Sequence, residues 1–376
     1  MKSLLASFKA CAKQGDVHAG NRIHLQLLLL FLLHDDGAAA PDQDTLCYLG
    51  NRLVSFYAKR GAFEKAQDVM ECLQRDVVTW NALMSGYAQH GGYSTEVLRC
   101  LEVLQREGHS PNGVTFVCVL KACGSLCAVE KGMQFHGEIT IRDSTDAYVG
   151  TTLVDMYAKC GAMAEAQSVF DQLEDRNVVS WTALIAGHVE QNVGDKALIC
   201  FERMQREGLY PNAVTFVCVL KACGSIGASA KGKEIHDEIV REGFLAKESL
   251  IGPALIDMYS KCGLLTKAQE VFSQLQVQDV VSWSAIMAGY AQLGQSYMVL
   301  DLLAKMRKEG IVPNLVTFLV LLTVCSHTGL MEEGERLFDE MFTHHLTPSL
   351  EHYTCMVDLF SRAGHFHKAK MLLNKV

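Results

Sequence analysis

The sequence predicts an all-α solenoid, a stack of short helix–turn–helix units, and three observations predict it. One stretch recurs as VVTWNALMSGYAQ from Val77, VVSWTALIAGHVE from Val178 and VVSWSAIMAGYAQ from Val280. Trp80, Trp181 and Trp283 stand about 100 residues apart, a periodicity that marks a repeat array rather than a single core. Within Val178–Asn212 the apolar residues fall into two helical stripes, Trp181, Leu184 and Ile185, then Ala197, Leu198, Phe201 and Met204. Gln191 to Gly194 break the pattern between them, and Gly208 with Pro211-Asn212 ends the second helix. Neither helix can bury its stripe alone, so another unit must stack on each side.

Three unit lengths alternate in order along the chain. A long first unit, about Met1–Leu46, holds the apolar run Leu25–Leu33, read as a buried second helix, and the irregular stretch His34–Asp44, read as an extended loop. Cys47–Asp76 follows, with YAKRGAFEKAQDVM as its signature, and then Val77–Asn112, Gly113–Asp146 and Ala147–Asn177. The trio restarts at Val178–Asn212, Ala213–Glu248 and Ser249–Asp279, and again at Val280–Asn314 and Leu315–Ser349. The last unit, Leu350–Val376, stops inside its second helix without a polar capping helix, which predicts a truncated chain or a missing neighbour.

Composition narrows the class. Apolar residues make up 49% of the chain and only six residues are proline, which excludes a disordered polypeptide. Leu25–Leu33 is too short to span a bilayer, and the repeat-like FKAC at Phe8–Cys11 ahead of it argues against a cleaved signal. The 14 cysteines follow the repeat period, as in Cys118/Cys218, Cys123/Cys223/Cys325, Cys100/Cys200 and Cys160/Cys262. Matching positions imply matching small buried slots, and no C-x-x-C occurs, so reduced thiols are expected rather than a metal site or disulfides. The net charge of −8 is unusual for a nucleic-acid binder. Yet Lys59, Lys121, Lys159, Lys221 and Lys261 all fall near the end of a first helix. Stacking would align them as a basic row, although lysine there also suits the helix dipole.

The units VVSWTALI…PN, VTFVCVLKACGS…G…H and LVDMYAKCG…A…VFD resemble the P, L and S repeats of plant PLS-class pentatricopeptide repeat (PPR) proteins, over essentially the whole chain. The resemblance implies a right-handed superhelix whose first helices line a groove for single-stranded RNA, one base per repeat. It implies base-reading pairs at the fifth and last residues of a repeat: Asn51/Asp76, Asn81/Asn112, Thr151/Asn177, Thr182/Asn212 and Ser284/Asn314. Family-like rules give these pairs U, a pyrimidine, A, A and A, hence the ligand U-Y-n-A-A-n-n-A-n. Val117, Val217 and Leu319 occupy the fifth place of the L repeats and cannot hydrogen-bond a base. Pro253 occupies it in Ser249–Asp279, which leaves that base unassigned. Val78, Val179 and Val281, at the second place, are implied to pack on base faces. The plain alternative is that the valines are helix-start packing and the Asn and Asp residues are ordinary turn and N-cap residues.

No chemistry of catalysis is legible. The triplets His136-Gly137-Glu138 and His236-Asp237-Glu238 recur at one point of two L repeats and lack the P-C-x-x-C a zinc deaminase needs, so they read as scaffold. His344-His345, His365 and His367 have no metal-spaced companions and read as solvated surface. No cofactor, metal or membrane partner is expected. The resemblance implies an RNA-binding specificity factor of a mitochondrion or chloroplast, most simply for C-to-U editing. The extension and DYW deaminase domains of the class are not read here, so a deaminase-bearing partner would act in trans or has been lost by truncation. The rival reading is a helical scaffold that binds a protein or peptide in its groove, which the acidic charge favours.

Overall fold

A computed structural model describes residues 43–73, 75–141 and 146–373 of the chain. Among the described residues there are helices and turns and no strand, and none of the helices is long and apolar enough to cross a membrane. The expected buried helix at Leu25–Leu33 lies outside the described residues, as does most of the expected His34–Asp44 loop. That loop ends earlier than the sequence reading places it, because Gln43 and Asp44 open the first described helix, α1 (Gln43–Ala58).

The chain divides into two compact units, Met1–Gly187 and His188–Val376. In the first, α1 pairs with α2 (Phe63–Glu71), α3 (Val77–Gln89) with α4 (Ser94–Arg106), α5 (Gly113–Ser125) with α6 (Val129–Ile141), and α7 (Ala147–Lys159) with α8 (Met163–Gln172). Helix α9 (Val178–Glu190) carries the division, and α10 (Gly194–Arg206) follows. The second unit continues with α11 (Ala213–Ile226), α12 (Ser229–Arg241), a one-turn α13 (Phe244–Lys247), α14 (Ile251–Lys261) and α15 (Leu265–Gln274). It closes with α16 (Val280–Gln292), α17 (Ser296–Lys308), α18 (Leu315–Thr328), α19 (Met331–Thr343), α20 (Leu350–Arg362) and α21 (Phe366–Leu373).

Two packing devices hold successive hairpins in register. A tryptophan on a first helix lies edge-on against the phenylalanine of the second helix before it: Trp181 on Phe170 at 4.5 Å between centroids, Trp283 on Phe272 at 4.8 Å. Such T-shaped pairs add about 0.5–1.5 kcal/mol to simple burial. Helices α3, α9 and α16 also carry a glycine against a small residue of the first helix of the preceding repeat: Gly86 on Ala58, Gly187 on Ala158 and Gly289 on Ser260. A Cβ at Gly187 would stand 2.7 Å from that of Ala158 and 2.8 Å from Met163 Sδ, so the helix backbones approach more closely than alanine allows.

Helix ends are set by the turn residue. Gly227 and Gly329 follow α11 and α18 in the left-handed region, with φ of 69° and 72°. The matching turn after α5 uses Cys127 at φ 50°, a conformation that costs a non-glycine residue some stability.

Two glycines give opposite expectations. Alanine gains about 0.5–1 kcal/mol over glycine inside a helix, while forced overpacking costs about 1–3 kcal/mol. Gly187→Ala is therefore destabilising by about 1–2 kcal/mol. Gly137→Ala in α6, where an added Cβ meets nothing within 4 Å, is stabilising by about 0.5 kcal/mol. Urea denaturation of the two variants checks both signs.

Candidate nucleic-acid interface

In most repeats the last residue is also the N-cap of the next first helix; the exception is Glu248, since Leu250 caps α14. Asp76 accepts from Thr79 N–H at 2.7 Å, Asn112 from Thr115 at 3.1 Å, Asn212 from Thr215 at 2.9 Å and Asn314 from Thr317 at 2.9 Å. In all four, the threonine hydroxyl accepts the cap residue's own N–H in return, so two orphan donors of the helix start are satisfied at once. Asn177 caps α9 through Val179 and Ser180 N–H at 2.9 and 3.0 Å, and Asp279 caps α16 through Ser282 N–H at 2.9 Å. The bland reading of these residues as caps is therefore realised in their geometry. Each cap engages one side-chain oxygen, and the rest of the side chain is left over.

The fifth residues stand behind the caps. Asn81 Nδ2 donates to Asn112 Oδ1 at 2.9 Å, and Thr115 Oγ1 donates to Asn81 Oδ1 at 2.7 Å. Thr79 Oγ1 donates to Asn51 Oδ1 at 2.6 Å, and Asn51 Nδ2 reaches Asp76 at 3.5 Å. Ser284 Oγ meets Thr317 Oγ1 at 2.7 Å, and Thr317 in turn bonds Asn314. The structure thus joins Asn51 to Asp76 and Asn81 to Asn112 directly, and Ser284 to Asn314 through one threonine. Thr151 donates to Ala147 O of its own helix at 2.8 Å and Thr182 to Val178 O at 2.6 Å. Asn81, Thr151, Thr182 and Ser284 are buried, whereas Asn112, Asn177 and Asn212 are exposed. The sequence pattern alone offers fifth and last residues as equals, but burial separates three of the five pairs into a buried and an exposed member, while Asn51, Asp76 and Asn314 are half-buried.

Beside each cap stands an exposed apolar side chain at the second place of the repeat. Val78 is 58% exposed, Val179 61% and Val281 48%. Tyr148, Val114, Val214 and Val316 hold the same place and are as open, at 62, 55, 53 and 56%. These four escaped the sequence reading, although their position in the period was signal enough. Val117 at the fifth place of an L repeat is buried, and Val217 and Leu319 are half-buried.

Charge is distributed unevenly over the expected lysine row. Lys159 and Lys261 each hold an aspartate one turn back, Asp155 and Asp257, at 2.7 Å. Lys121 lies 5.9 Å from the Tyr148 ring centroid, and Lys59 and Lys221 are exposed. Burial alone would raise the Asp76 carboxyl, but hydrogen bonds from Thr79 and Asn51 outweigh it and hold the group below its ordinary range.

The two H-x-E triplets are packing elements. His136 Nδ1 pairs with Tyr157 OH at 3.0 Å and His236 Nδ1 with Tyr259 OH at 2.9 Å, each tying a second helix to the first helix of the following repeat. Glu238 accepts from Gln205 on α10 at 3.1 and 3.2 Å. Among the described residues no group of His, Cys, Asp and Glu could hold a metal ion. The described cysteines are free thiols, and burial pushes those of Cys100 and Cys223 to about 12.

One pH effect follows. Burial lowers the pKa of His136 and His236, so the unfolded chain binds more protons than the folded one just below the ordinary imidazole value of 6.5. Their contribution is complete above 6.5 and lost as pH falls below it. The melting temperature falls between pH 7.5 and 5.5, and replacing both histidines by glutamine reduces that fall.

Comparison with known proteins gives concordant matches. The PPR repeat family matches residues 75–125, 176–225 and 278–327, and the PPR repeat matches 151–178, 254–280, 316–346 and 351–376. Among curated proteins of Arabidopsis thaliana, pentatricopeptide repeat-containing protein At2g33680 is 39% identical over 86% of this chain and 44% of its own length. Pentatricopeptide repeat-containing protein At1g06140, mitochondrial, is 34% identical over 100% of this chain and 65% of its own. Pentatricopeptide repeat-containing protein CRR2, chloroplastic, is 37% identical over 96% of this chain and 55% of its own. The chain thus spans less than two thirds of the length of these relatives. The crystal structure of PPR10 from maize aligns at a TM-score of 0.48 and 19% identity over 99% of this chain and 61% of that one. With family matches over more than half of its residues, this chain belongs to the pentatricopeptide repeat family.

Proposed function

We propose that this protein binds single-stranded RNA in a sequence-dependent way, one base per repeat, and serves as a specificity factor in organellar RNA processing. The observation that carries the reading is the pairing, repeat after repeat, of a presented cap residue with an exposed apolar side chain, as in Asn112 with Val114 and Asn212 with Val214. An apolar surface suits a base face and a polar tip suits a base edge.

The cap geometry supplies a selection rule. An asparagine whose Oδ1 is engaged by the helix N–H offers its Nδ2 donor, which matches the ring-nitrogen acceptor of adenine or cytosine. An aspartate engaged through one oxygen offers only an acceptor, which matches the ring N–H of uracil or guanine. This rule agrees with U opposite Asn51/Asp76 and with A opposite Thr151/Asn177, Thr182/Asn212 and Ser284/Asn314, and it admits C for the pyrimidine opposite Asn81/Asn112.

Mitochondrial and chloroplastic relatives support an organellar site of action. The order of P, L and S units supports the PLS class, and within it we propose C-to-U editing, with single-stranded organellar RNA as partner and the deaminase supplied in trans. The net charge of −8 favours the second reading, a scaffold for a protein or peptide.

A gel shift with U-Y-n-A-A-n-n-A against a scrambled RNA and the DNA equivalent, at two salt concentrations, separates the two. Preferential binding of the matched RNA is expected, and Thr182→Asn with Asn212→Asp shifts the fifth base from A toward U or G by roughly tenfold. Equal, salt-sensitive binding of every strand refutes the register, and no binding at all refutes RNA as the ligand.

A further inference from the structure

The repeat Ser249–Asp279 lacks a polar fifth residue, where the repeats that hold Asn51, Asn81, Thr151, Thr182 and Ser284 have one. Pro253 holds its fifth place and brings no polar side-chain atom, whereas Thr151 and Ser284 hold that place elsewhere. Proline is tolerated there because it sits in the first turn of α14, where a missing N–H breaks no helical bond. A cavity of about 190 Å³ lies at this point, lined among others by Lys247, Glu248, Ser249, Pro253, Leu275 and Asp279. That is room for one flat heterocycle. It is bounded on one side by the short helix α13, which starts after Gly243 in the left-handed region at φ 73° and brings Lys247 to the rim.

We propose that Lys247 replaces the missing fifth-place reader, and that Lys247 and Asp279 together hold a keto base, uracil or guanine, in this cavity. The inference rests on the RNA-binding reading above. Lys261 and Lys267 of the same unit are each held by a carboxylate, at 2.7 and 2.6 Å. Lys247 stands in no ion pair among the described residues. Asp279 spends Oδ1 on the N-cap bond from Ser282 and keeps Oδ2 as an acceptor. A keto base presents a ring N–H next to a carbonyl oxygen: N3–H and O4 in uracil, N1–H and O6 in guanine. The N–H donates to the Asp279 carboxylate and the oxygen accepts from the Lys247 ammonium.

Adenine and cytosine reverse both groups. Their bare ring nitrogen faces the carboxylate and their amino group faces the ammonium, so both contacts turn repulsive. The cavity also disfavours a phosphate, since Glu248 and Asp279 place two carboxylates beside a single ammonium. A neutral base edge with one donor and one acceptor fits that charge set.

The test uses the full chain and four RNAs that differ only at the seventh nucleotide of U-Y-n-A-A-n-n-A-n. Uracil and guanine are expected to bind at least about tenfold more tightly than adenine and cytosine. Lys247→Ala removes most of that preference, weakening uracil and guanine and relieving adenine and cytosine of one repulsive contact, while Lys247→Glu with Asp279→Asn inverts it, since asparagine keeps the cap. Both positions lie at the rim, and melting temperature verifies that the variants fold. An equal loss for all four RNAs on Lys247→Ala would make the lysine a phosphate contact and overturn the inference alone, as would four equal affinities for the unmodified chain. Failure to bind any of the four would overturn the RNA reading and this inference with it.

Discussion

The structure depends on the hydrogen bonds that start each first helix. A stack of hairpins fixes the position of the next unit only if the chain enters it at a defined angle, and the capping boxes at Asp76–Thr79, Asn112–Thr115, Asn212–Thr215 and Asn314–Thr317 define it. The threonine in each box is fully buried, so its hydroxyl must be satisfied, and the box satisfies it locally. In the first of these the fifth residue of the preceding repeat joins through Asn51, in the second through Asn81. A junction of this kind couples two repeats with hydrogen bonds, charge-assisted only at Asp76, each worth about 1 kcal/mol net but costly to leave unmade.

Once the entry angle is set, close packing follows from small residues at one place. Glycine on one first helix and alanine or serine on the first helix before it bring the backbones together, and the tryptophan six residues earlier closes the gap to the preceding second helix. The buried cysteines occupy similar small slots, and Cys123, Cys223 and Cys325 are completely enclosed. Electrostatics contributes little to this architecture. Most ion pairs, such as Arg99–Glu96 and Arg336–Glu333, lie on exposed turns of single helices, where such pairs are worth a few tenths of a kcal/mol.

Much of this was legible in the sequence because the helical stripes, the Gly and Pro-Asn breaks and the recurring tryptophans are local signals. The cap role of Asn112 or Asn212 was legible too, from Asn followed by threonine three residues on. Burial was not. Asn81 and Asn112 look equivalent as letters, yet one is 7% exposed and the other open, because Thr115 of the next helix covers Asn81. The exposure of Tyr148 and the cavity beside Pro253 depend likewise on how neighbouring helices meet. The start of α1 at Gln43 eluded the reading because Gly, Ala and Pro just before it look like loop in any frame. The His–Tyr ties across successive repeats were hidden by distance along the chain, which no motif of a few residues spans.

The double duty of the cap residue has a consequence for change over time. Asparagine and aspartate are nearly equal as helix caps, so exchanging one for the other leaves the junction standing. Yet the exchange turns the exposed remainder of the side chain from a donor into an acceptor. On the function proposed above, a protein built this way rewrites what each unit recognises without first acquiring spare stability, and neighbouring units need not adapt. Recognition then drifts freely on a scaffold that stays constant.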